Sequence, residues 1–231
     1  METSGLSADY RQNRCLVKGR RFVISTTEST YRNMKFSNNK PRVASEQEMW
    51  NAKYQAGSHT SLKPDPFLLQ ADKDYVQPLL PARGDVLDLA GGVGRHSLFY
   101  AKRGWKATLI DVSDLGTALA QKNARRRKLK IKTITADLNH YDLRQLPQRF
   151  DLILGFFYLQ RNLFPALVEM LNPGGLLIYK TYLRGTVKGP THPLHLLEPN
   201  ELVRAFPALR VLHYRETVGE SHTAEFVGSK E

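Results

Sequence analysis

Short apolar runs alternate with amphipathic stretches along most of the chain. The apolar runs predict strands at 85–89, 106–111, 132–136, 150–154 and 176–182. The stretches between them have the longer hydrophobic spacing of helices, at 95–103, 113–127, 141–146 and 162–171. A short helix at 200–205 and two closely spaced strands near 209–215 and 222–228 follow. This order is typical of an α/β fold with a doubly wound, seven-stranded, mainly parallel sheet that ends in an antiparallel hairpin.

A further helix is predicted at 46–56, ahead of the alternating region. Ser45 and Glu48 have the spacing of a capping box, in which each side chain accepts a hydrogen bond from the other's backbone N–H. Trp50 and Tyr54 lie four residues apart and therefore share one face of this helix. That aromatic face either packs against the domain or covers a bound cofactor.

Residues 1–44 differ in composition from the rest of the chain. They hold nine Lys and Arg against Glu2, Asp9 and Glu28, which is half of the net charge of +12. A polar segment of this kind buries too little apolar surface to fold, so we expect it to be largely disordered, with one apolar patch at 21–24 that could pair as a strand. We therefore divide the chain into an N-terminal extension, 1–44, and a domain, 45–231.

The single cysteine, Cys15, limits both chemistry and compartment. It excludes an intrachain disulfide and a four-cysteine zinc site, and it favours the reducing cytoplasm. The composition of the extension is also compatible with an organellar transit peptide. No apolar run approaches the roughly 20 residues needed to cross a bilayer, so no membrane partner is expected. The cations clustered at 125–132 stand at a helix end, where they complement the dipole, so a solvated helix end is favoured over a nucleic-acid contact.

A run of small residues follows the first strand of the predicted sheet. Ala90, Gly91, Gly92 and Gly94 let the backbone approach a ligand closely and adopt a positive φ. The helix that begins behind them directs unpaired N–H groups at the same place. Such a turn either binds an anionic or carboxylate-bearing cofactor or is a tight turn with no ligand.

Three acids stand at the tips of three successive predicted strands: Asp88, Asp111 and Asp137. Open α/β sheets bind ligands at the carboxyl ends of their strands, so we expect these acids to border one crevice. Asp111 lies twenty residues after Gly91, a spacing typical of an acid that accepts hydrogen bonds from ribose hydroxyls. A dinucleotide is disfavoured, because Ser97 stands where the third glycine of that fingerprint belongs.

The first strand's acid and the small residues after it have the spacing of a known signature. The run 88–94, DLAGGVG, resembles the acid-x-G-x-G-x-G signature of class I S-adenosylmethionine-dependent methyltransferases, with Ala90 in place of the first glycine. The resemblance extends over roughly 46–228 and includes the turn 172–175, NPGG. The helix at 46–56 further resembles the small-molecule branch that includes tellurite-resistance and thiopurine methyltransferases.

The resemblance implies S-adenosyl-L-methionine as the cofactor. The glycine turn would face the methionine part, Asp111 would bind the ribose, Asp137 with Leu138 would contact the adenine, and Trp50 or Tyr54 would cover the cofactor. The residues expected at the cofactor are thus Trp50, Asp88, Ala90, Gly91, Gly92, Gly94, Asp111, Asp137 and Leu138.

The methyl acceptor is expected between the loops that follow the fourth and fifth strands. The first loop offers Tyr158 and Arg161, and the second offers His195, so these three are the candidate catalytic residues. Arg161 either anchors an anionic acceptor or pairs with an acid such as Glu169. No carboxylate or cysteine accompanies His192 and His195, so no metal is predicted.

Two absences narrow the acceptor. The first loop lacks the Asn/Asp-Pro-Pro-Tyr/Phe motif with which amino-methyltransferases hold a planar nitrogen, and Cys15 lies in the extension, away from any position suited to cytosine C5 methylation. We therefore expect methyl transfer by in-line displacement to a small molecule such as a thiol or a chalcogen oxyanion. The basic segments leave open an RNA or protein acceptor, and a non-catalytic cofactor-binding scaffold is the remaining alternative.

Overall fold

The structure is a computed structural model that describes residues 44–231 and the backbone of 14–17 and 20–23. The chain divides into two units, Met1–Val43 and Ala44–Glu231. In the first unit, the strands Arg14–Val17 and Arg20–Val23 pair antiparallel, and the second of them overlaps the apolar patch predicted at 21–24. The expectation of disorder in the rest of the extension lies outside the described residues.

One sheet of seven strands forms the centre of the second unit. Its strands are β1 (Asp85–Leu89), β2 (Lys106–Asp111), β3 (Ile131–Thr135), β4 (Phe150–Phe156), β5 (Leu171–Tyr182), β6 (Leu209–Thr217) and β7 (Thr223–Lys230). They are arranged in the order β3-β2-β1-β4-β5-β7-β6. Strands β1 to β5 are parallel, and β7 is antiparallel to both β5 and β6. The predicted α/β fold, a doubly wound seven-stranded sheet with an antiparallel hairpin, is confirmed.

Seven α-helices flank the sheet or lie across its edge within residues 44–231, and a π-helix, Asp72–Val76, joins the second of them to the third. They are α1 (Glu46–Gln55), α2 (Pro66–Ala71), α3 (Gln77–Leu79), α4 (Arg95–Lys102), α5 (Asp114–Arg126), α6 (Phe164–Met170) and α7 (Glu201–Ala205). The helix predicted at 141–146 is a single 3₁₀ turn, Leu143–Gln145. The capping box predicted for α1 is present, with Ser45 N 2.8 Å from a Glu48 carboxylate oxygen and Glu48 N 3.2 Å from the Ser45 hydroxyl.

The two faces of the sheet are covered by different helices. On one face, Phe67 and Leu68 of α2 and Tyr100 of α4 pack against apolar side chains of β1, β4 and β5. On the other face, Leu167 of α6 and Leu202 of α7 pack in a second cluster. Because both faces of the sheet are buried, the parallel strands have continuous apolar sequences. Among residues 44–231, no helix is both long and apolar enough to span a membrane.

The turn predicted at 172–175 is an irregular part of β5. Leu171 pairs with Phe150, after which the register shifts before Leu176 pairs with Leu152. A Cβ on Gly175 would lie 2.9 to 3.2 Å from three backbone carbonyl oxygens, so only glycine fits there. The strand therefore begins at Leu171, five residues before the predicted start at 176.

Candidate functional site

The turn after β1 has the left-handed backbone that its small residues predicted. The φ angles are +49° at Ala90, +54° at Gly92 and +86° at Gly94, the residue before α4. The amide of Gly91 donates to the carbonyl of Ile110 in β2 (3.2 Å), which fixes the turn against the neighbouring strand. This geometry lets a ligand approach the backbone closely at the carboxyl edge of the sheet, where α/β folds bind ligands.

Ala90 stands where the signature has its first glycine, and its left-handed φ strains the backbone. An L-residue in this region is strained by about 1–2 kcal/mol. Glycine avoids this strain, but it loses more backbone entropy on folding, which offsets part of the stabilisation. We expect Ala90→Gly to raise the free energy of unfolding by about 1 kcal/mol in urea denaturation. Ala52→Gly, in the exposed interior of α1, is the matched control and should lower it by about 1 kcal/mol. An equal loss in both variants would contradict the strain.

Asp88 of β1 is buried beneath the turn and anchors the start of α4. Its Oδ2 accepts hydrogen bonds from the Ser97 amide (3.0 Å) and the Ser97 hydroxyl (2.7 Å). Burial raises the pKa of Asp88 to about 6, although the two bonds from Ser97 and the charge of Arg95 oppose the shift. Asp88 therefore holds the turn from below.

Asp111, the last residue of β2, fastens the glycine turn from the side. One carboxylate oxygen accepts from the Gly92 amide (2.8 Å) and the other from the Ser113 amide (2.9 Å). Burial raises the pKa of Asp111, and these two backbone bonds limit the rise. Each oxygen has two lone pairs, so both retain one acceptor site after the backbone bonds are made.

Helix α1 lies across the crevice and is tied to its far side. The amide of Asn51 donates to Asp114 (2.6 Å), and its oxygen accepts from the Ser113 hydroxyl (2.5 Å). Tyr54 is buried against the turn, because a Cβ on Gly92 would lie 2.5 Å from its hydroxyl and a Cβ on Gly116 2.8 Å from its ring. The aromatic face of α1 thus packs against the domain at the glycine turn itself, which puts Tyr54 directly over that turn.

Trp50 is half-buried, beside Tyr54. The two rings stack with centroids 5.9 Å apart, and His59 meets Trp50 edge-on at 5.4 Å. The ammonium group of Lys53 lies 4.1 Å from the centre of the indole. Burial raises the pKa of the Tyr54 hydroxyl, and the charges of Asp111 and Asp88 add to the rise. The Tyr54 hydroxyl is therefore a neutral hydrogen-bond donor at neutral pH.

The third acid, Asp137, follows β3 at the other end of α1. Its Oδ1 accepts from the amide and the side chain of Asn139 (2.9 and 2.8 Å). Asn139 in turn bonds to Gln160 (2.7 Å) and approaches Glu46 at the start of α1 (3.4 Å). Leu138 is buried in the core. The three predicted acids thus lie along one edge of the sheet, with α1 crossing from the third to the first.

Arg95 is a functional candidate that the sequence reasoning missed. It is the first residue of α4 and half-buried, with its guanidinium 5.7 Å from the ring of Phe157. In the part of the chain that the structure describes, it has no carboxylate within salt-bridge distance. It directly follows Gly94 of the glycine turn, which places it at the border of the crevice, and its charge lowers the pKa of Asp88 and of Tyr54. An arginine directly after a glycine turn was the signal that could have identified it.

Lys180 of β5 was also missed, and it forms an ion cluster on the α2 side of the sheet. Its ammonium lies 3.2 Å from Asp65 and 3.1 Å from Glu225. The Lys180 carbonyl accepts from the amide of Phe157 (2.7 Å), whose ring lies 5.1 Å from that of Tyr182. Aromatic rings and a neutralised cation therefore border the loops after β4 and β5.

Arg161 is held by a different acid from the one expected. Its guanidinium bonds to both carboxylate oxygens of Glu201 (2.5 and 2.9 Å) and to the carbonyls of Leu194 (3.0 Å) and Leu196 (2.8 Å). The suggested pairing with Glu169 is wrong, because Glu169 is engaged by Arg144 at 2.6 and 3.0 Å. Arg161 thus fastens the loop after β5 to the start of α7.

Tyr158 and His195 lie in different surroundings. Tyr158 is half-buried and packs against the core, and its pKa is raised by burial and then by the charges of Glu46, Asp137 and Asp111. His195 is exposed in the loop after β5, 5.7 Å from the ring of His192. Among the described residues, no group of three or more His, Cys, Asp or Glu could hold a metal ion.

The sequence is similar to a methyltransferase family model and to a curated methyltransferase. A family model described as a methyltransferase domain matches residues 86–175. A probable S-adenosyl-L-methionine-dependent methyltransferase, TehB of Haemophilus influenzae, is 28% identical over 153 residues, covering 63% of this chain and 52% of the relative. The chain thus spans about half the length of the curated relative it matches.

The fold is similar to those of solved structures. TehB from Haemophilus influenzae superposes with a TM-score of 0.62 at 19% identity, over 78% of this chain and 66% of that one. Magnesium protoporphyrin IX methyltransferase (ChlM) from Synechocystis PCC 6803, with S-adenosylmethionine bound, has a TM-score of 0.58 at 13% identity, over 82% of this chain and 99% of that one. These likenesses show the shared Rossmann-like methyltransferase fold.

Proposed function

Because this chain carries an S-adenosylmethionine-dependent methyltransferase domain and is a distant homologue of TehB, we propose that residues 45–231 transfer a methyl group to a small-molecule acceptor. The cofactor of the domain is S-adenosyl-L-methionine. The observation that carries the proposal is the crevice, where the buried Asp111 carboxylate keeps free acceptor sites beside a left-handed glycine turn. The single cysteine favours the cytoplasm as the compartment.

The residues of the crevice fit this cofactor. The free acceptor sites of Asp111 suit ribose hydroxyls, and Asp137 and Leu138 offer an acceptor and an apolar contact for the adenine. The left-handed turn Ala90–Gly94 lets the methionine part approach the backbone closely. The guanidinium of Arg95, which has no carboxylate within salt-bridge distance among the described residues, suits the carboxylate of that part. Asp88 positions this turn from below.

Helix α1 closes the crevice above these residues. Tyr54 packs on Gly92, and Trp50 stacks on Tyr54, so together they exclude water from the turn. Asn51 holds the helix in place through Ser113 and Asp114. We propose that Trp50 and Tyr54 cover the cofactor, which when bound supplies an electrophilic methyl group on a sulfonium.

The acceptor side is bordered by aromatic rings rather than by an amide-binding motif. Phe157 and Tyr182 supply flat apolar walls, and Lys180 is neutralised by Asp65 and Glu225. Such a site suits a soft nucleophile, such as a thiolate or a chalcogen oxyanion, which needs alignment more than a general base.

The three candidate catalytic residues have separate roles in this proposal. Tyr158 remains protonated, because burial and the neighbouring acids raise the pKa of its hydroxyl, and it donates a hydrogen bond to the acceptor. Arg161 is a positioning residue, since its guanidinium is taken up by Glu201 and two carbonyls. His195 stands exposed on the loop that Arg161 holds, where it can contact an entering acceptor.

A turnover assay with a panel of acceptors tests the proposal. Purified full-length protein is incubated with S-adenosylmethionine and a thiol, selenite or tellurite, and release of S-adenosylhomocysteine is measured; cofactor affinity is determined separately by calorimetry. We expect cofactor binding and turnover with at least one member of the panel. Cofactor binding without turnover of any small acceptor would contradict the small-molecule assignment, and absence of cofactor binding would contradict the site.

A further inference from the structure

The charge of the domain is concentrated on α4, α5 and the segments that follow them. Residues 95–132 contain eleven Lys and Arg but only two acids, whereas residues 144–231 contain ten Lys and Arg and eight acids. Both acids of the first segment face other groups: Asp111 is buried at the glycine turn, and Asp114 accepts from Asn51. The cations of this segment are therefore not neutralised from within it.

Ion pairing differs in the same way between the two segments. From residue 144 onward, most cations have an acidic partner: Arg144, Arg161, Lys180, Arg184, Lys188 and Arg215. Among the described Lys and Arg residues between 95 and 132, only Arg103 has an acidic partner, Asp72, at 3.8 Å. Unneutralised like charges repel one another and lower stability, so a surface that keeps them together is unusual unless it has an anionic partner.

Several of these cations line a groove along the outer side of α4. The groove has a volume of about 270 Å³, and four cations border it: Arg95, Lys102, Arg103 and Arg127. Its remaining lining is apolar: Leu62, Pro64, Leu98, Phe99 and Leu129. The exposed cations at 125–132 continue the basic surface beyond Arg127. One end of the groove is formed by Arg95, which also borders the cofactor crevice.

We propose that this basic groove binds a single strand of nucleic acid. Cations that border one groove neutralise neighbouring phosphates and release counterions, which drives binding. The apolar walls and the planar guanidinium of Arg103, which lies 3.5 Å from the centre of the Phe99 ring, offer surface to unstacked bases, which a duplex keeps inside its helix. The proposal goes beyond methyl transfer, and binding can be measured without turnover.

Removal of two groove cations tests the proposal. We expect a fluorescein-labelled single-stranded oligouridylate to bind the full-length protein in an anisotropy titration, and Lys102→Ala/Arg127→Ala to weaken binding about tenfold. The slope of log K against log salt should fall in magnitude by about 1.4, since each phosphate contact on a single strand contributes about 0.7. The matched control is Arg149→Ala/Arg210→Ala, which removes the same charge from exposed positions outside the groove and should leave affinity within about twofold.

Four outcomes overturn the proposal. An equal loss in both double variants would show attraction by net charge alone. Equal affinity for a duplex would exclude a role for exposed bases. If polyglutamate displaced the labelled oligouridylate as effectively as unlabelled RNA does, the partner would instead be an acidic protein. Competition by uridine monophosphate at the same phosphate concentration would indicate a phosphorylated small molecule. Calorimetry with S-adenosylmethionine should give the same affinity for all variants, which separates failure of the groove from failure of the cofactor site.

Discussion

Asp111→Asn should weaken the binding of S-adenosylmethionine about 100-fold, close to 3 kcal/mol, because it removes a charge that two ribose hydroxyls would share. The carboxylate already accepts from the amides of Gly92 and Ser113 through separate oxygens. A carboxamide has one oxygen and one NH₂ group, so its NH₂ group would face one of these two N–H donors. The variant therefore loses both a ligand contact and part of the anchor of the turn, and calorimetry at neutral pH measures the result.

Asp114→Asn is the matched control for this change. Asp114 lies three residues further along the same loop, but its Oδ1 accepts from Asn51 in α1. We expect cofactor affinity within about threefold of the unmodified protein, because only one exposed polar contact is altered. A comparable loss in both variants would show that charge near the loop, rather than the Asp111 contact, governs binding. Thermal melting without cofactor checks that each variant is folded.

Asp88→Asn should stabilise the protein at neutral pH by about 3 kcal/mol and reduce the pH dependence of its stability between pH 4 and 6. The pKa of Asp88 is raised from 3.8 to about 6, with burial as the largest cause. Between these two values, the folded state holds a proton that the unfolded state has lost, so stability falls as pH rises. An asparagine does not titrate and avoids this loss, and its oxygen can still accept from Ser97. Urea denaturation at pH 4, 5, 6 and 7 measures the difference.

An exposed acid provides the comparison for Asp88. Asp142 pairs with Arg144 at the surface, and Asp142→Asn should leave the pH dependence between 4 and 6 unchanged. If Asp88→Asn gives a stability curve parallel to that of the unmodified protein over this range, then the buried carboxylate does not account for the pH dependence. A loss of cofactor affinity alongside a gain in stability would show that the charge of Asp88 serves the turn at a cost to the fold.

The local hydrophobic pattern was sufficient to predict the strands that carry the acids. The bounds of β1 and β2 agree residue for residue with the prediction, because each is an apolar run limited by a charged residue at both ends or by a turn. Parallel strands meet at one edge, so the placement of Asp88, Asp111 and Asp137 followed from topology alone. The 3₁₀ turn at Leu143–Gln145 and the early start of β5 were missed, because both depend on contacts with distant backbone.

The ion pairs between charged side chains could not be predicted in the same way. The sequence suggests Glu169, eight residues away, as a partner for Arg161. Arg161 instead binds Glu201, forty residues away, because the loop after β5 folds back onto the loop after β4. Lys180 meets Asp65 across 115 residues for the same kind of reason. Sequence spacing carries no information on such pairs, since any exposed carboxylate of the right reach is an equal candidate.

The sequence by itself determined the order of strands and helices, the left-handed glycine turn and the edge of the sheet on which three acids stand, because each depends on local periodicity or on backbone geometry. Only the tertiary structure decided that α1 lies across the crevice with Tyr54 on Gly92, and that Arg95 has no acidic partner among the described residues. It also decided that cations of α4 and of the residues directly after α4 and α5 line one groove. These features arise from packing between segments far apart in the chain, where the fold rather than the local sequence determines which groups meet.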